Sequence, residues 1–256
     1  MFAMKTCRRL CSMGASINQR AAFLHQNVVV KPSPKALLEP SVAHGLRYRL
    51  ATPADRELLR DGLEKYFYPE DPVTTSHYSG SAVTADDMES ALGMIDTGLM
   101  ILAVDEETGR LGGFAGSTIV TPDEPAKLLE LASQVQTKKF ADILRLLAHL
   151  SANTKVCERF GVDQAYHFCI TSVNPEFRGK AIGVMLQKKH VQLAHAHGIR
   201  VFSVDCTGPF SAQGCERLGM KCVHTMKYTD FKDETGKVLF HGKENFTELK
   251  SYVMKV

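Results

Sequence analysis

Where a strand gives way to a helix, small residues and cations packed into the turn make a place for an anion. The run from Cys169 to Gly183 reads Cys-Ile-Thr-Ser-Val-Asn-Pro-Glu-Phe-Arg-Gly-Lys-Ala-Ile-Gly. Its first part alternates as a strand, Pro175 marks a turn, and the glycines open a helix. A helix N-terminus presents unpaired N–H groups and the positive end of the dipole. Small residues there let a diphosphate come close to the backbone. Ser172 and Val173 at the strand end, with Arg178, Gly179, Lys180, Ala181, Ile182 and Gly183 beyond it, form the candidate anion-binding set. An ordinary strand-to-helix turn also carries glycines, so this motif gains weight only from what surrounds it.

The elements around it alternate. Leu46–Leu50 has strand periodicity, and Thr52-Pro53-Ala54-Asp55 is a capping box opening a helix that runs to about Tyr66 and ends before Pro69. A second capping box, Thr84 to Asp87, leads into Met88–Ile95. Leu99–Val104 and Leu111–Val120 read as a hairpin. Residues 127–160 hold no Pro or Gly and have leucines at helical spacing, which predicts one long or two abutting helices stopped by Gly161. Tyr166–Val173 is a strand, Arg178–His197 an amphipathic helix closed by Gly198, and Ile199–Cys206 another strand. Ser211–Leu218 is a short helix, and two final strands flank Asp233–Gly236. This order predicts an α/β domain: a mixed sheet with helices on both faces.

With 256 residues, 44% hydrophobic and 23% charged, the chain is ordinary for a globular protein. No apolar run nears the ~18 residues of a membrane span. The net charge of +3 is too small to argue for nucleic acid. It is concentrated at the start: Lys5, Arg8, Arg9, Arg20, Lys31 and Lys35 face no acid before Glu39, so the rest of the chain is mildly acidic. Residues 1–45 therefore read as a basic extension, with the composition either of a mitochondrial transit peptide or of a disordered tail. The folded domain is expected over 46–256. Seven scattered cysteines without metal-ligand spacing read as reduced thiols, an intracellular pattern fitting cytoplasm or mitochondrion. His190, His195 and His197 invite a metal reading, but only His190 and His197 share a face, two turns apart, so no metal is expected.

Val173-x-Pro175-x-x-Arg178-Gly179-Lys180-x-Ile182-Gly183, at fixed offsets from a strand, resembles the acetyl-CoA pyrophosphate loop of the GNAT superfamily, Gln/Arg-x-x-Gly-x-Gly/Ala. Ala181 stands where the family usually has its first glycine; alanine's helix propensity is expected to preserve the backbone there. The dinucleotide fingerprint needs another glycine spacing and fits worse. The resemblance runs from about Leu46 to the C-terminus and implies a GNAT fold: a twisted, mostly antiparallel mixed sheet with helices on both faces. Within the superfamily, the chain is most similar to insect-type arylalkylamine (dopamine-like) N-acetyltransferases. Their Asp-Glu-Pro-Leu segment matches Glu70-Asp71-Pro72-Val73, with the acids exchanged. Their paired serines match Thr207 and Ser211. The tyrosine acid of other GNAT branches is replaced by Cys215.

The resemblance implies acetyl transfer from acetyl-CoA to a small primary amine, an arylalkylamine first of all, by direct attack. Polyamines, amino acids and protein amines are the other acceptors, and a non-catalytic acyl-CoA-binding module is the remaining reading. An alkylammonium of pKa ~10.4 costs about 4–5 kcal/mol to deprotonate at pH 7, so a base is needed. Asp71 and Glu70 are the two candidates. The carbonyl oxygen needs a donor, expected from a backbone N–H near Val173. Ser211 or Thr207 is expected to meet the departing thiolate. Each has a plainer role available: a solvated loop acid for the carboxylates, turn or cap hydrogen bonding for the hydroxyls. Tyr66, Phe67 and Tyr68 could line an aromatic-amine pocket or pack the first helix on the sheet.

Overall fold

A computed structural model describes residues 41–244 and 246–256. The calls made on residues 1–40 lie outside these.

Among the described residues, eight strands form one sheet in the order β1-β2-β3-β4-β5-β6-β8-β7. They are β1 (Ser41–Ala43), β2 (Leu46–Leu50), β3 (Met100–Asp105), β4 (Leu111–Val120), β5 (Ala165–Val173), β6 (Val201–Cys206), β7 (Lys221–Lys227) and β8 (Glu248–Lys255). Every neighbouring pair is antiparallel except β5 and β6. A parallel pair needs a crossover, and helix α7 (Ile182–Ala196) supplies it. The sheet includes Ser41–Ala43, ahead of the expected Leu46 boundary.

Side-chain alternation divides the core between the two faces. Tyr166 and Phe168 of β5, with Phe202 and Val204 of β6, pack against Ile182, Leu186 and Leu193 of α7. On the other face, α1 (Arg56–Gly62) and α3 (Ala85–Gly93) bring Leu59, Leu92 and neighbours onto Met100, Leu102 and Phe114. Helices α4 (Glu124–Ala132) and α5 (Lys138–Thr154) cover the β7–β8 end, where Phe140, Leu144, Met226 and Leu249 meet. The mixed, mostly antiparallel sheet with helices on both faces is as expected.

The departures have identifiable causes. Residues 127–160 form three helices rather than one or two: α4, α5 and α6 (Val156–Phe160). The α4–α5 break is fixed from outside, because Thr137 donates its amide and hydroxyl to Asp86 at 2.8 and 2.7 Å. The α5–α6 break is at Lys155, which turns left-handed with φ +47°. The first helix runs on from α1 as a π-helical turn, Leu63–Phe67, before α2 (Pro72–Ser76), which the sequence pattern did not signal. The final strands lie much farther apart than expected. Residues 228–244 and 246–247 lie outside both strands, and Phe240 among them bridges to His77.

Candidate active site

Strands β5 and β6 stay together only from Tyr166–Phe202 to Phe168–Val204, then part. The amide of Asn174 donates to Gly112 O on the β4 side at 3.0 Å. Amides of an extended strand alternate between edges, so Val173 N–H faces the opened edge. The sequence reading expects a donor from this stretch.

Beyond Val173 the chain makes an anion cradle. Buried Asn174 ties the turn down, donating to Leu111 O at 3.0 Å and accepting from Glu176 N at 3.1 Å. Arg178 is extended (φ −63°, ψ 160°), Gly179 has φ +83°, and Ala181 is left-handed at φ +54°. Helix α7 therefore starts at Ile182, not at Arg178, and Ala181 is its N-cap without a side-chain cap bond. This corrects the expectation that helix propensity holds the backbone at Ala181, because the residue sits outside the helix in a conformation its Cβ disfavours. Left-handed backbone costs a non-glycine residue about 1–2 kcal/mol. Ala181→Gly is expected to raise stability by about 1 kcal/mol. The corresponding Tm rise is about 2–4 °C in a thermal melt.

Arg178, Gly179, Ala181, Ile182 and Gly183 lie on one large cleft of about 1160 Å³, together with Ser172 and Val173. Lys180 does not; its ammonium lies over the Phe177 ring, 5.3 Å from the centroid. Arg178 is bound to Glu70 by two contacts at 2.7 and 2.8 Å. Glu70 is exposed and committed to this arginine at the cleft mouth.

Asp71 sits differently. It N-caps α2, accepting from the Thr74 amide and hydroxyl at 2.8 Å each, and it lines the cleft. Burial pushes its carboxyl above the ordinary range, against the lowering effect of the Thr74 and Thr207 hydrogen bonds. Thr207, just past the end of β6, donates to the other Asp71 oxygen at 3.3 Å. Tyr228 holds Thr207 in turn, its hydroxyl donating to the Thr207 carbonyl at 2.7 Å. Ser211 lies in the first turn of α8 (Pro209–Arg217) and donates to Gly208 O at 2.8 Å. Both hydroxyl residues border the cleft. Cys215, in the place of the tyrosine acid, is buried with its sulfur 3.5 Å from that of Cys206 and is not on the cleft wall. The five cysteines among the described residues are free thiols.

Tyr66, Phe67 and Tyr68 all border the cleft. Tyr68 is mainly structural, buried with its hydroxyl donating to Asp87 O at 2.7 Å, while Phe67 packs edge-on to Phe114. Several wall residues escaped the sequence reading. One face of α5, from Phe140 through Leu144 and Leu147 to Thr154, lines the cleft, as do Glu124, His167 and Asp205. The i, i+4, i+7 recurrence on α5 was a legible signal of a face, but not of what that face met.

His190 has a packing role. Its Nε2 donates to Ala115 O at 3.0 Å, and its Nδ1 meets the Ser117 and Tyr166 hydroxyls at 2.8 Å each. Burial lowers its pKa to about 3, so it is neutral. Among the described residues, no group of three or more His, Cys, Asp or Glu could hold a metal. No helix among them is long and apolar enough to cross a membrane.

A sheet parted between its parallel strands, with a helix N-terminus pointing into the gap, defines an acyl-CoA-dependent N-acetyltransferase of the GNAT fold, and comparison with solved structures agrees. No family model matches the sequence. The chain is 32% identical to a mosquito arylalkylamine N-acetyltransferase like 5b, with TM-score 0.80, covering 82% of this chain and 100% of that one. It is 27% identical to a Drosophila melanogaster polyamine N-acetyltransferase that catalyses formation of N-acetylagmatine (TM-score 0.77, covering 82% and 100%). An agmatine N-acetyltransferase variant in its apo form is likewise 27% identical (TM-score 0.78, covering 83% and 100%). The protein belongs to the insect arylalkylamine N-acetyltransferase-like family of the GNAT acetyltransferases. Acetyltransferases of this superfamily use acetyl-CoA.

Proposed function

We propose that this chain uses acetyl-CoA to acetylate the primary amine of a small molecule, an arylalkylamine being the first acceptor to test. One observation carries this reading: Asp71 and Thr207 are hydrogen-bonded to each other on the wall of the same cleft that the α7 cradle opens into. The free amides at the start of α7 would hold the diphosphate, Gly183 allowing close approach and Arg178 adding charge. The coenzyme supplies the activated acetyl group; everything else falls to the chain's own residues.

Asp71 takes the ammonium proton as the new C–N bond forms. Its raised pKa brings it nearer the operating pH, where a general base works best. Val173 N–H donates to the thioester oxygen as that oxygen gains charge. When the C–S bond breaks, the thiolate needs a proton or a donor. Thr207 touches the carboxylate that takes the proton, so one of the two protons the ammonium sheds in becoming an amide can pass from Asp71 through Thr207 to the sulfur, and the other leaves to solvent. Ser211 is the second hydroxyl bordering the cleft. Glu70 is too fully engaged with Arg178 for the base role, so Asp71 is the better of the two carboxylates. Tyr66, Phe67 and the apolar face of α5 would hold the acceptor's body. The free thiols among the described residues suit a reducing compartment, cytoplasmic or mitochondrial.

The test is thiol release from acetyl-CoA with dopamine, tyramine, serotonin, spermidine and a lysine peptide. Turnover is expected with at least one small amine. CoA binding without turnover across the whole panel would instead establish a non-catalytic module.

A further inference from the structure

Among the described residues, Lys243 is the one lysine that borders the cleft. It stands on a tight turn, its amide donating to Phe246 O at 3.1 Å and its carbonyl accepting from Phe246 N at 2.8 Å. That turn is anchored beside the reacting groups. Gly242, at φ +70°, lies so close to Tyr228 that an added Cβ would come within 3.0 Å of the ring. Tyr228 in turn holds the Thr207 carbonyl, and Thr207 touches Asp71.

The Lys243 side chain reaches the same place from the other direction. Its Nζ donates to the Glu70 carbonyl at 3.4 Å, and that carbonyl belongs to the peptide unit joining Glu70 to Asp71. Pro72, next along, lies against Gly208, where an added Cβ would meet Pro72 Cγ at 3.5 Å. The acid segment is thereby held at the end of β6, where the sheet has parted. Little restrains the amine. Its bond to Glu70 is long and exposed, and the Glu70 carboxylate is already held by Arg178. Lys139 and Lys180 differ: the first is tied to two backbone carbonyls and the second lies over Phe177, both off the cleft wall. A lysine ends in a primary alkylamine on a flexible four-carbon stem, the same group that a small acceptor would bring.

We propose that the protein acetylates its own Lys243, within the same molecule. The inference rests on the acetyltransferase reading and adds a second acceptor, one built into the chain. The Lys243 nitrogen attacks the thioester carbonyl of acetyl-CoA, the C–N bond forms and the C–S bond breaks. Of the two protons the ammonium sheds, one passes by Asp71 and Thr207 to the sulfur and the other leaves to solvent. N-acetyl-lysine and the free thiol of CoA are the products. The amide is no longer a nucleophile, so each molecule reacts once at this position. Tethering makes the step unimolecular, and proximity lets Lys243 compete with dissolved amine.

The test is mass spectrometry, intact and by peptide mapping, of the full chain incubated with acetyl-CoA and no added amine. Lys243 is expected to gain an acetyl group at least about tenfold faster than any other lysine, the others reporting uncatalysed acetylation. Its rate constant should not change when the protein is diluted about tenfold, as for a reaction within one molecule. Excess CoA, which fills the cleft without an acetyl group, should suppress labelling of Lys243 and spare the other lysines. Asp71→Asn, checked for folding by CoA titration, should slow Lys243 labelling by the same factor as small-amine turnover. Labelling of Lys243 no faster than elsewhere, or insensitive to CoA, would overturn the proposal. A rate constant that rose with protein concentration would overturn it too, by placing the transfer between molecules. So would wild-type labelling in an Asp71→Asn protein whose small-amine turnover had fallen. The amine panel is run in parallel: an unlabelled Lys243 with tyramine acetylated removes self-acetylation alone, and no turnover of any amine removes acetyl transfer as well.

Discussion

Asp71→Asn is expected to lower kcat by about 10²–10⁴-fold, the usual contribution of a positioned general base. The change is nearly isosteric and should spare the fold. Asn is as good an N-cap as Asp, so the acceptor for the Thr74 amide at the start of α2 persists. What is lost is the ability to take the ammonium proton. The pH profile separates this from a packing defect. Asp71 works as a base only when ionised, and burial raises its pKa. In the wild type, kcat/KM for the amine should therefore fall as pH drops through that raised value. In Asp71→Asn that limb should vanish, and the residual rate should climb with pH only as free amine becomes available. Glu70→Gln is the control. Its carboxylate is exposed and holds Arg178, so kcat should change little while the KM for acetyl-CoA shifts. A large kcat loss in Glu70→Gln with none in Asp71→Asn would reverse the assignment.

Gly183→Asp should all but abolish coenzyme binding while leaving the protein folded. The two effects have opposite signs because they act on different partners. A Cβ at Gly183 would meet nothing nearer than Val173 Cγ2 at 3.7 Å, so the protein has room for it. An acid in the first turn of α7 also suits the helix dipole, worth about 0.3–1 kcal/mol in favour of the fold. Against a diphosphate the same charge is repelled. Two unit charges 4 Å apart at an effective dielectric of 20 cost about 4 kcal/mol. That corresponds to about 10³-fold in Kd. Thermal melts and CoA titration measure the two effects side by side. A variant that still bound CoA within a few-fold of wild type would place the diphosphate elsewhere.

Much of the architecture was legible because its signals are local. Capping boxes at Thr52 and Thr84, the hairpin around Gly109 and the strand–turn–helix at Val173 each depend on residues within a few positions of one another. The α4–α5 break was not legible, since Asp86, 51 residues away in sequence, is what fixes Thr137. The left-handed turn at Ala181 was misread for a related reason. Alanine's intrinsic preference is helical, and the tertiary setting overrides it.

Sequence alone determined that a strand ends at Val173 and a helix follows a short turn, although it opened that helix at Arg178 where the structure opens it at Ile182. It also singled out two adjacent acids before Pro72 and two hydroxyls, Thr207 and Ser211. Only the tertiary structure gave the acids different surroundings, turning Glu70 out to Arg178 and Asp71 in to Thr207. It alone brought the α5 face, from Phe140 to Thr154, onto the same cleft as Val173 and Asp71. The reason is physical: short-range dihedral and capping preferences are written in neighbouring residues. A pocket is the space left between elements packed from distant parts of the chain, and no local pattern encodes it.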